Sequence, residues 1–368
     1  MFLVATSILE KLEQTERILD QDNICSHLFK YKADFYIDGS WQCLFYSKPS
    51  QCGEINNLLV AFSGNIYDVE SQDEKILNTA ILQRIACAED NAIIEALNCT
   101  YGDFNGLIID KFSKEIRLLG SRSGLPPLYY YLGKELFLIT EELDLLLRIV
   151  SACNGSLSLN KKYVGTFLVG ICDEEFAVDP TITIYDQVYI VPPAHIVYLS
   201  EGTKRIKRYW TYWKSNSLDR SNIEEKLRQL LFQAVSVRIS TPFSIGVRLS
   251  GGLDSGSIAC ILGKILQNSF YCYSNVFDFS NSLNEKYYVE QISRHINAAV
   301  RYIPADHLWA LRDTPNLSRR PQPEPYQGWF YPVWISSKHG SLKQGRTRNC
   351  AGNLTCRGII ARARNADF

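Results

Sequence analysis

The sequence lacks a surplus of charge of either sign, since Lys and Arg together number 39 and Asp and Glu also number 39. Nucleic acids and anionic membranes attract proteins through excess basic side chains, so neither is an expected partner. The sequence also lacks an apolar run of transmembrane length, and its start, MFLVATSILEKLEQ, becomes charged too early for a secretory signal. We therefore expect a cytoplasmic protein.

Patterns of cysteine and histidine that bind metals are absent as well. The 11 cysteines are scattered and odd in number, and they include no Cys-x-x-Cys pair. Cys25, Cys43, Cys87, Cys260 and Cys272 lie among apolar or aromatic residues, where a reduced cysteine acts as a small hydrophobic side chain. The 5 histidines show no ligand spacing either. We expect structural or surface roles for both residue types.

The order of apolar and turn-forming residues predicts two domains and a tail. Residues 1–215 alternate short runs of aromatic and branched residues with turns, which predicts an α+β layered domain with antiparallel strands. Residues 216–340 show the βαβαβ order of a parallel doubly wound sheet. Residues 341–368 are basic and have no helical or strand face, so we expect them to be disordered or the product of a shifted reading frame, with a basic interaction tail as the alternative.

Individual elements follow from apolar spacing. In the first domain we expect helices at 74–87, 90–97 and 160–169. In the second domain we expect strands at 243–249, 270–277 and 300–303, and helices at 255–267 and 284–296. An amphipathic helix over 219–237 precedes them, and its predicted apolar face consists of Leu227, Leu230, Leu231 and Ala234.

The segment SGGLDS, residues 250–255, connects the first strand of the second domain to its helix. A Gly-rich turn that enters a helix N-terminus binds anions, because free N–H groups and the helix dipole point at one place. Gly251 and Gly252 allow a close approach and a positive φ, and Ser250 and Ser255 add hydroxyl donors. Asp254 would repel phosphates unless a cation lay between them, which indicates Mg²⁺; alternatively, Asp254 is simply the helix N-cap. No Gly-Lys-Ser/Thr follows, which excludes a Walker P-loop.

With SGGLDS in this position, the second domain resembles the ATP-pyrophosphatase domain of the asparagine synthetase family, which includes β-lactam synthetases and lasso-peptide cyclases. Two earlier segments are similar to the family's as well. They are YGDFNGLIIDKFSKEIRLLGSRSGLPPLYYY, and TITIYDQVYIVPPAHIVYL followed by RYW, where Ala194 replaces the family's glycine. The resemblance covers residues 30 to 335 or so. It implies an NTN-hydrolase-like amidotransferase domain followed by an incomplete α/β PP-loop domain.

The resemblance also implies ATP and Mg²⁺ as ligands, and a residue set that would bind them. The implied phosphate contacts are Ser250, Gly251, Gly252 and Ser255, the implied Mg²⁺ ligand is Asp254, and Leu249 and Val276 would flank the adenine. Glu285 lies where the family has a glutamate at the start of the next helix. A solvated helix cap is the alternative for that residue.

Two departures from the family bear on activity. Glutamine-hydrolysing members use a nucleophilic cysteine at position 2, where this sequence has Phe2. The family's Asn-Gly for glutamine binding is Ser63-Gly64 here, so Gly64 and Asp103 are what remains of that pocket, and we expect no glutaminase activity. After Trp334 the sequence shows no Gly-x-Asp-Glu loop, whose carboxylate helps to hold Mg²⁺ in the family. No catalytic side chain is therefore assigned.

Two hypotheses of function remain. The first is an ATP-dependent, AMP-forming amide ligase that activates a small-molecule or peptide carboxylate and joins it to an amine. The second is a non-catalytic, nucleotide-binding remnant, expected if the gene is truncated or frame-shifted after Trp334.

Overall fold

The computed structural model describes most of the chain up to residue 307. The described residues are 2–6, 9–21, 29–35, 41–47, 52–68, 90–154, 156–169, 180–200, 203–211, 222–239, 244–267, 269–279, 284–307 and 360–363. The chain divides into two compact units, the first formed by Met1–Lys214 and Arg319–Tyr326 and the second by Ser215–Ser318 and Gln327–Phe368. Across the described ranges, no helix is both long and apolar enough to cross a bilayer.

The first unit contains two antiparallel sheets and several helices. Its strands are β1 (Phe2–Thr6), β2 (Phe29–Phe35), β3 (Trp41–Ser47), β4 (Cys52–Ile55), β5 (Leu58–Asp68), β6 (Thr100–Asp110), β7 (Ile116–Gly120), β8 (Tyr129–Leu132), β9 (Leu136–Thr140), β10 (Val188–Ile190), β11 (His195–Ser200) and β12 (Thr203–Arg208). Its helices are α1 (Leu9–Gln21), α2 (Asp90–Asn98), α3 (Leu143–Asn154) and α4 (Lys161–Val169). One sheet has the order β10-β8-β9-β1-β3-β2 and the other β12-β11-β7-β6-β5-β4.

Apolar residues on both faces of each sheet explain the layered arrangement of this unit. Ile139 and Leu59 belong to a core cluster that contains side chains of both sheets, so the sheets face each other across it. The neighbouring Leu138 instead packs with residues of α1 and α3, and Val60 packs with residues of α2. Successive strand residues point to opposite faces, so each sheet has one face on the other sheet and one face under helices. The unit is a mixed α/β structure with antiparallel sheets.

The strands and two of the helices predicted for the first unit are confirmed, whereas the helices α1 and α3 were not predicted. The helices expected at 90–97 and 160–169 are α2 and α4. The helix expected at 74–87 lies outside the described residues. Ala194, at the family's glycine position, has a φ of 60°, which explains why the family uses glycine there.

The second unit is built around a small, mainly parallel sheet. Its elements are α5 (Ile223–Ile239), β13 (Ser244–Arg248), α6 (Leu253–Leu266), β14 (Phe270–Val276), α7 (Lys286–Ile296), β15 (Val300–Pro304) and β16 (Ile360–Ala363). The strand order is β15-β14-β13-β16, in which β13, β14 and β15 are parallel. The predicted order of strands and helices from residue 243 to residue 303 is thus confirmed, with boundaries that differ by one or two residues.

The expectation of a doubly wound sheet is wrong for the described part of this unit. Helices α6 and α7 pack against each other and both contact β14, so they lie on one face of the sheet. The chain moves from β13 to β14 to β15 in a single direction, and right-handed crossovers in one direction put their helices on the same side.

The apolar face predicted for the helix before the sheet is also wrong. Leu227 and Leu230 are 58% and 54% exposed. The side chains of α5 that enter the core are instead Val235 and Ile239, near its C-terminal end. Helical spacing shows which residues share a face, but whether another element covers that face depends on the tertiary structure.

A strand occurs in the tail where none was expected. Ile360–Ala363 pairs antiparallel with β13 as β16. A β13 strand paired on one side alone would present unpaired N–H and C=O groups on the other, and these can pair with any extended segment. The remaining residues of 341–368 lie outside the described residues.

Two cysteines of the second unit occupy its apolar interior. Cys272 is buried on β14, and Cys260 on α6 is partly buried against the same core cluster. Burial raises the pKa of the Cys272 thiol to about 11, so this thiol is neutral and poorly nucleophilic at physiological pH. Both cysteines have the packing role of small hydrophobic side chains.

Candidate functional site

The Gly-rich turn lies at the carboxyl end of β13, the edge at which ligands bind in open parallel sheets. Leu249 is buried, and its N–H donates to the carbonyl oxygen of Tyr273 on β14 at 2.8 Å. This bond extends the parallel pairing beyond β13 and fixes where the turn begins. Residues 250–252 then connect directly to α6.

The first turn of α6 presents backbone donors that its own sequence does not cap. Gly252 is the N-cap residue, with φ −79° and ψ 156°, and no side chain caps the helix start. The first intrahelical bond runs from the N–H of Gly256 to the carbonyl of Gly252 at 3.1 Å. The amides of Leu253, Asp254 and Ser255 precede that bond, so they point out of the helix end, where an anion is favoured.

The alternative in which Asp254 is the N-cap is wrong, because the N-cap is Gly252. Asp254 lies within the first turn of α6, and its side chain is exposed. An exposed carboxylate beside uncapped amides is positioned to reach a cation that accompanies an anionic ligand.

The two serines of the motif bond to each other across the turn. The Ser250 and Ser255 hydroxyls are 2.8 Å apart, and the N–H of Ser250 donates to the Ser255 hydroxyl at 3.0 Å. The N–H of Gly252 donates to the Ser250 hydroxyl at 3.2 Å. Because Ser255 is buried and these bonds close the turn, the serines shape the loop, and their direct contact with phosphate stays a prediction.

The two glycines allow close packing, and neither uses the positive φ that glycine permits. Gly252 has φ −79°, and Gly251 is not among the glycines of positive φ. A Cβ atom on Gly251 would lie 3.0 Å from Cβ of Tyr288 and 3.1 Å from Cβ of Glu285. The absence of a side chain at this position therefore lets the start of α7 approach the turn.

Glu285 is the site residue whose contact the sequence does not reveal. It is the N-cap residue of α7, yet its side chain does not cap that helix. Its carboxylate instead accepts a hydrogen bond from the N–H of Gly251 at 3.1 Å. Asn284 accepts from the N–H of Lys286 at 3.1 Å. The contact between Glu285 and Gly251 joins residues 34 positions apart, so no local pattern predicts it.

Val276 is the last residue of β14, the strand next to β13. A carboxylate that follows β15 supports the loop after Val276. Val276 is buried, and its carbonyl accepts from the N–H of Ala305 at 2.8 Å. The carboxylate of Asp306 accepts from the amides of Asp278 at 2.9 Å and Phe279 at 2.8 Å. Leu249 and Val276 thus lie at adjacent strand ends, while their contact with adenine stays a prediction.

We expect Asp306→Asn to remove an acid-sensitive part of the stability of this loop. The amides of Phe279 and Asp278 hold the pKa of Asp306 below its usual value. A carboxyl whose pKa is depressed by folding adds stability above its unfolded pKa of about 3.9, and this stability is lost as pH falls through the folded pKa. Hydrogen exchange of the Asp278 and Phe279 amides at pH 6 and pH 3, corrected for the intrinsic exchange rate at each pH, measures the stability of the loop. Equal pH dependence in both proteins would contradict the assignment.

In the first unit, the structure brings Gly64 and Asp103 together. The two lie on the paired strands β5 and β6, where Gly64 is opposite Phe104 and Asn65 is opposite Asp103. Gly64 has φ +88°, and a Cβ atom on it would lie 2.1 Å from the Asp103 carbonyl oxygen. The Asp103 carboxylate accepts from the Ser123 hydroxyl at 3.2 Å. The structure therefore brings the two residues together, and their assignment to a glutamine pocket stays a prediction.

A carboxylate accepts hydrogen bonds from polar side chains next to Gly64 and Asp103. Glu141 accepts a hydrogen bond from the Ser63 hydroxyl and another from the side-chain amide of Asn105 at 2.9 Å. That amide also donates to the carbonyl of Pro126 at 3.0 Å, and Asn105 is fully buried. Sequence reasoning did not identify Asn105 or Glu141. Their polar side chains are used within the unit, which favours a structural role for this region.

Comparison with known proteins gives one family model and several relatives of low identity. Residues 226–317 match the family model of asparagine synthase. A putative glutamine-hydrolysing asparagine synthetase of Methanocaldococcus jannaschii is 24% identical over 264 residues, which are 68% of this chain and 47% of that protein. The amidase chry2 of Gibberella zeae is 21% identical over 292 residues, 71% of this chain and 41% of that protein. The chain spans about half the length of these relatives.

Among solved structures, the likeness is weaker. A glutamine phosphoribosylpyrophosphate amidotransferase from B. subtilis, complexed with ADP and GMP, is 9% identical and has a TM-score of 0.37. The match covers 89% of this chain and 69% of that one.

Proposed function

We propose that the domain formed by residues 226–317, which matches the asparagine synthase family model, places the chain in the asparagine synthetase family, binds ATP and supports amide-bond formation through an adenylate. The observation that carries the proposal is the uncapped first turn of α6 at the carboxyl end of β13, inside the matched residues. Amides and hydroxyls in this arrangement are the donors that phosphate oxygens accept from.

The turn offers the kinds of group that a magnesium–triphosphate ligand would need, namely hydrogen-bond donors and a carboxylate. The amides of Leu253, Asp254 and Ser255 would donate to phosphate oxygens, and the bonded hydroxyls of Ser250 and Ser255 would hold the turn in shape. Asp254 would contribute an oxygen to Mg²⁺. When bound, Mg²⁺ would neutralise phosphate charge and stabilise the leaving pyrophosphate.

The proposed reaction has two steps. An oxygen of the substrate carboxylate attacks the α-phosphorus, the bond to the bridging oxygen breaks, and pyrophosphate leaves. A substrate amine then attacks the acyl carbon, AMP leaves with the bonding electrons, and the amine loses a proton to give the amide. Donors fixed before the reaction stabilise charge that develops on the departing oxygens.

We propose further that the first unit is an NTN-hydrolase-like domain without glutaminase activity. Its two facing antiparallel sheets between helical layers support the fold assignment. Phe2 has no nucleophilic atom at the position of the family's cysteine, and Ser63 bonds to Glu141. The nitrogen donor would then be free ammonia or a substrate amine.

The second candidate, motivated by the departure of residues 335–368 from the family's pattern, is nucleotide binding without turnover. In the family that the chain resembles, a second Mg²⁺-binding carboxylate comes from a Gly-x-Asp-Glu loop, and this sequence shows none after Trp334. One carboxylate, Asp254, is enough to favour Mg·ATP binding but gives weaker control of the metal during transfer.

Exchange of labelled pyrophosphate into ATP separates the two candidates. We expect the protein to catalyse exchange when amino acids or peptides with a free carboxylate are supplied, and to release no ammonia from glutamine. Binding of ATP without exchange with any carboxylate would favour the second candidate. Failure to bind ATP at all would contradict both.

A further inference from the structure

A carboxylate of the protein itself occupies one donor of the Gly-rich turn. The Glu285 carboxylate accepts the Gly251 N–H at 3.1 Å, and the two residues belong to different connections of the sheet. The contact is possible because Gly251 has no side chain, since a Cβ atom there would lie 3.1 Å from Cβ of Glu285. The side chain of Glu285 is otherwise exposed, so it can move away without disrupting the core.

The Glu285 carboxylate accepts the same backbone hydrogen bond that an oxygen of an anionic ligand would accept. A backbone N–H has one hydrogen, so the Gly251 amide cannot make a full hydrogen bond to Glu285 and to a phosphate oxygen at once. A carboxylate that remained near bound phosphates would also repel them. Helix α7 does not depend on the Glu285 side chain, because this side chain makes no capping hydrogen bond to the helix.

We propose that Glu285 is an internal competitor of the anionic ligand at this turn. In the ligand-free protein its carboxylate takes the Gly251 amide, and a pyrophosphate or triphosphate group binds after displacing it. The inference rests on the proposed function, since it assumes that the turn is the phosphate site. It adds that the affinity for phosphate is held below what the amides alone would give.

Glu285→Gln is the variant that tests this. Glutamine keeps the size of the side chain and an oxygen that can accept from Gly251, but it removes the charge. We expect Glu285→Gln to bind inorganic pyrophosphate about fivefold more tightly than the parent protein, measured by calorimetry in EDTA at low salt. Glu290→Gln is the matched control, because Glu290 is on the same helix and pairs with Arg294 at 3.4 Å. It should change the affinity by less than about twofold.

Each other result has a separate meaning. Unchanged or weaker pyrophosphate binding by Glu285→Gln would overturn the inference while leaving the turn as the phosphate site. Weaker binding of Mg·ATP with unchanged pyrophosphate binding would also overturn it, and would make Glu285 a partner of Asp254 at the metal. Glu285→Ala, which should also bind pyrophosphate more tightly, serves if the glutamine variant does not fold. If neither the parent nor any variant bound pyrophosphate or ATP, the proposed function itself would fail.

Discussion

Replacing Asp254 by asparagine is expected to lower the affinity for Mg·ATP about a hundredfold, which is about 2.7 kcal/mol. Asp254 is exposed in the first turn of α6, beside amides that precede the first intrahelical bond. Asparagine keeps one oxygen but loses the carboxylate charge that a hard divalent cation prefers, whereas the amides for phosphate remain. Pyrophosphate without Mg²⁺ should therefore bind at least as tightly as to the parent protein. Calorimetric titrations of ATP with Mg²⁺ and of pyrophosphate with EDTA measure the two effects.

Glu224→Gln is the matched control for this variant. Glu224 is an exposed carboxylate in the first turn of α5, in the same unit but away from the Gly-rich turn in sequence. It removes the same charge, so an effect of net charge would appear in both variants. If Asp254→Asn bound Mg·ATP as tightly as the parent protein, the assignment of Asp254 to the metal would be wrong.

Gly64→Ala is expected to destabilise the first unit by about 3 kcal/mol or more. Gly64 has φ +88°, a conformation that costs free energy for any residue with a Cβ atom. The added atom would lie 2.1 Å from the Asp103 carbonyl oxygen, and this neighbour is backbone, so relief requires β5 and β6 to move apart. Urea unfolding followed by protein fluorescence measures the free energy of unfolding.

Gly53→Ala provides the comparison for that experiment. Gly53 lies on β4, which pairs with β5, and a Cβ atom added to it would have nothing within 4 Å. The same chemical change should therefore alter the free energy of unfolding by less than about 1 kcal/mol. A similar loss in both variants would show that the close approach to Asp103 does not control the effect.

Local patterns in the sequence were enough to predict the order of elements around the Gly-rich turn. The apolar run before Ser250 and the helical spacing after it correspond to β13 and α6. These elements are specified by neighbouring residues, because strand and helix periods appear within a few positions. Right-handed crossovers in one direction then place both connecting helices on the same face of the sheet.

The parts that could not be predicted depend on distant residues. Leu227 and Leu230 share a helical face, but their exposure depends on whether another element covers α5. β16 exists because a segment far along the chain pairs with β13. Within the candidate site, the partners of Gly251 and of the Asp278 amide are Glu285 and Asp306, each contributed by a later element. Spacing within a motif carries no information about such contacts.

The position of β1 within its sheet has a consequence for folding during synthesis. Phe2–Thr6 lies between β9 and β3, and Phe2 is opposite Thr140. The ribosome adds about 5–20 residues per second, so β1 waits on the order of ten seconds for β9. Until then its neighbours in the sheet are incomplete, and its backbone can pair with other nascent segments. Chaperone dependence of this protein should therefore concentrate in the interval between the emergence of β1 and that of β9 from the exit tunnel.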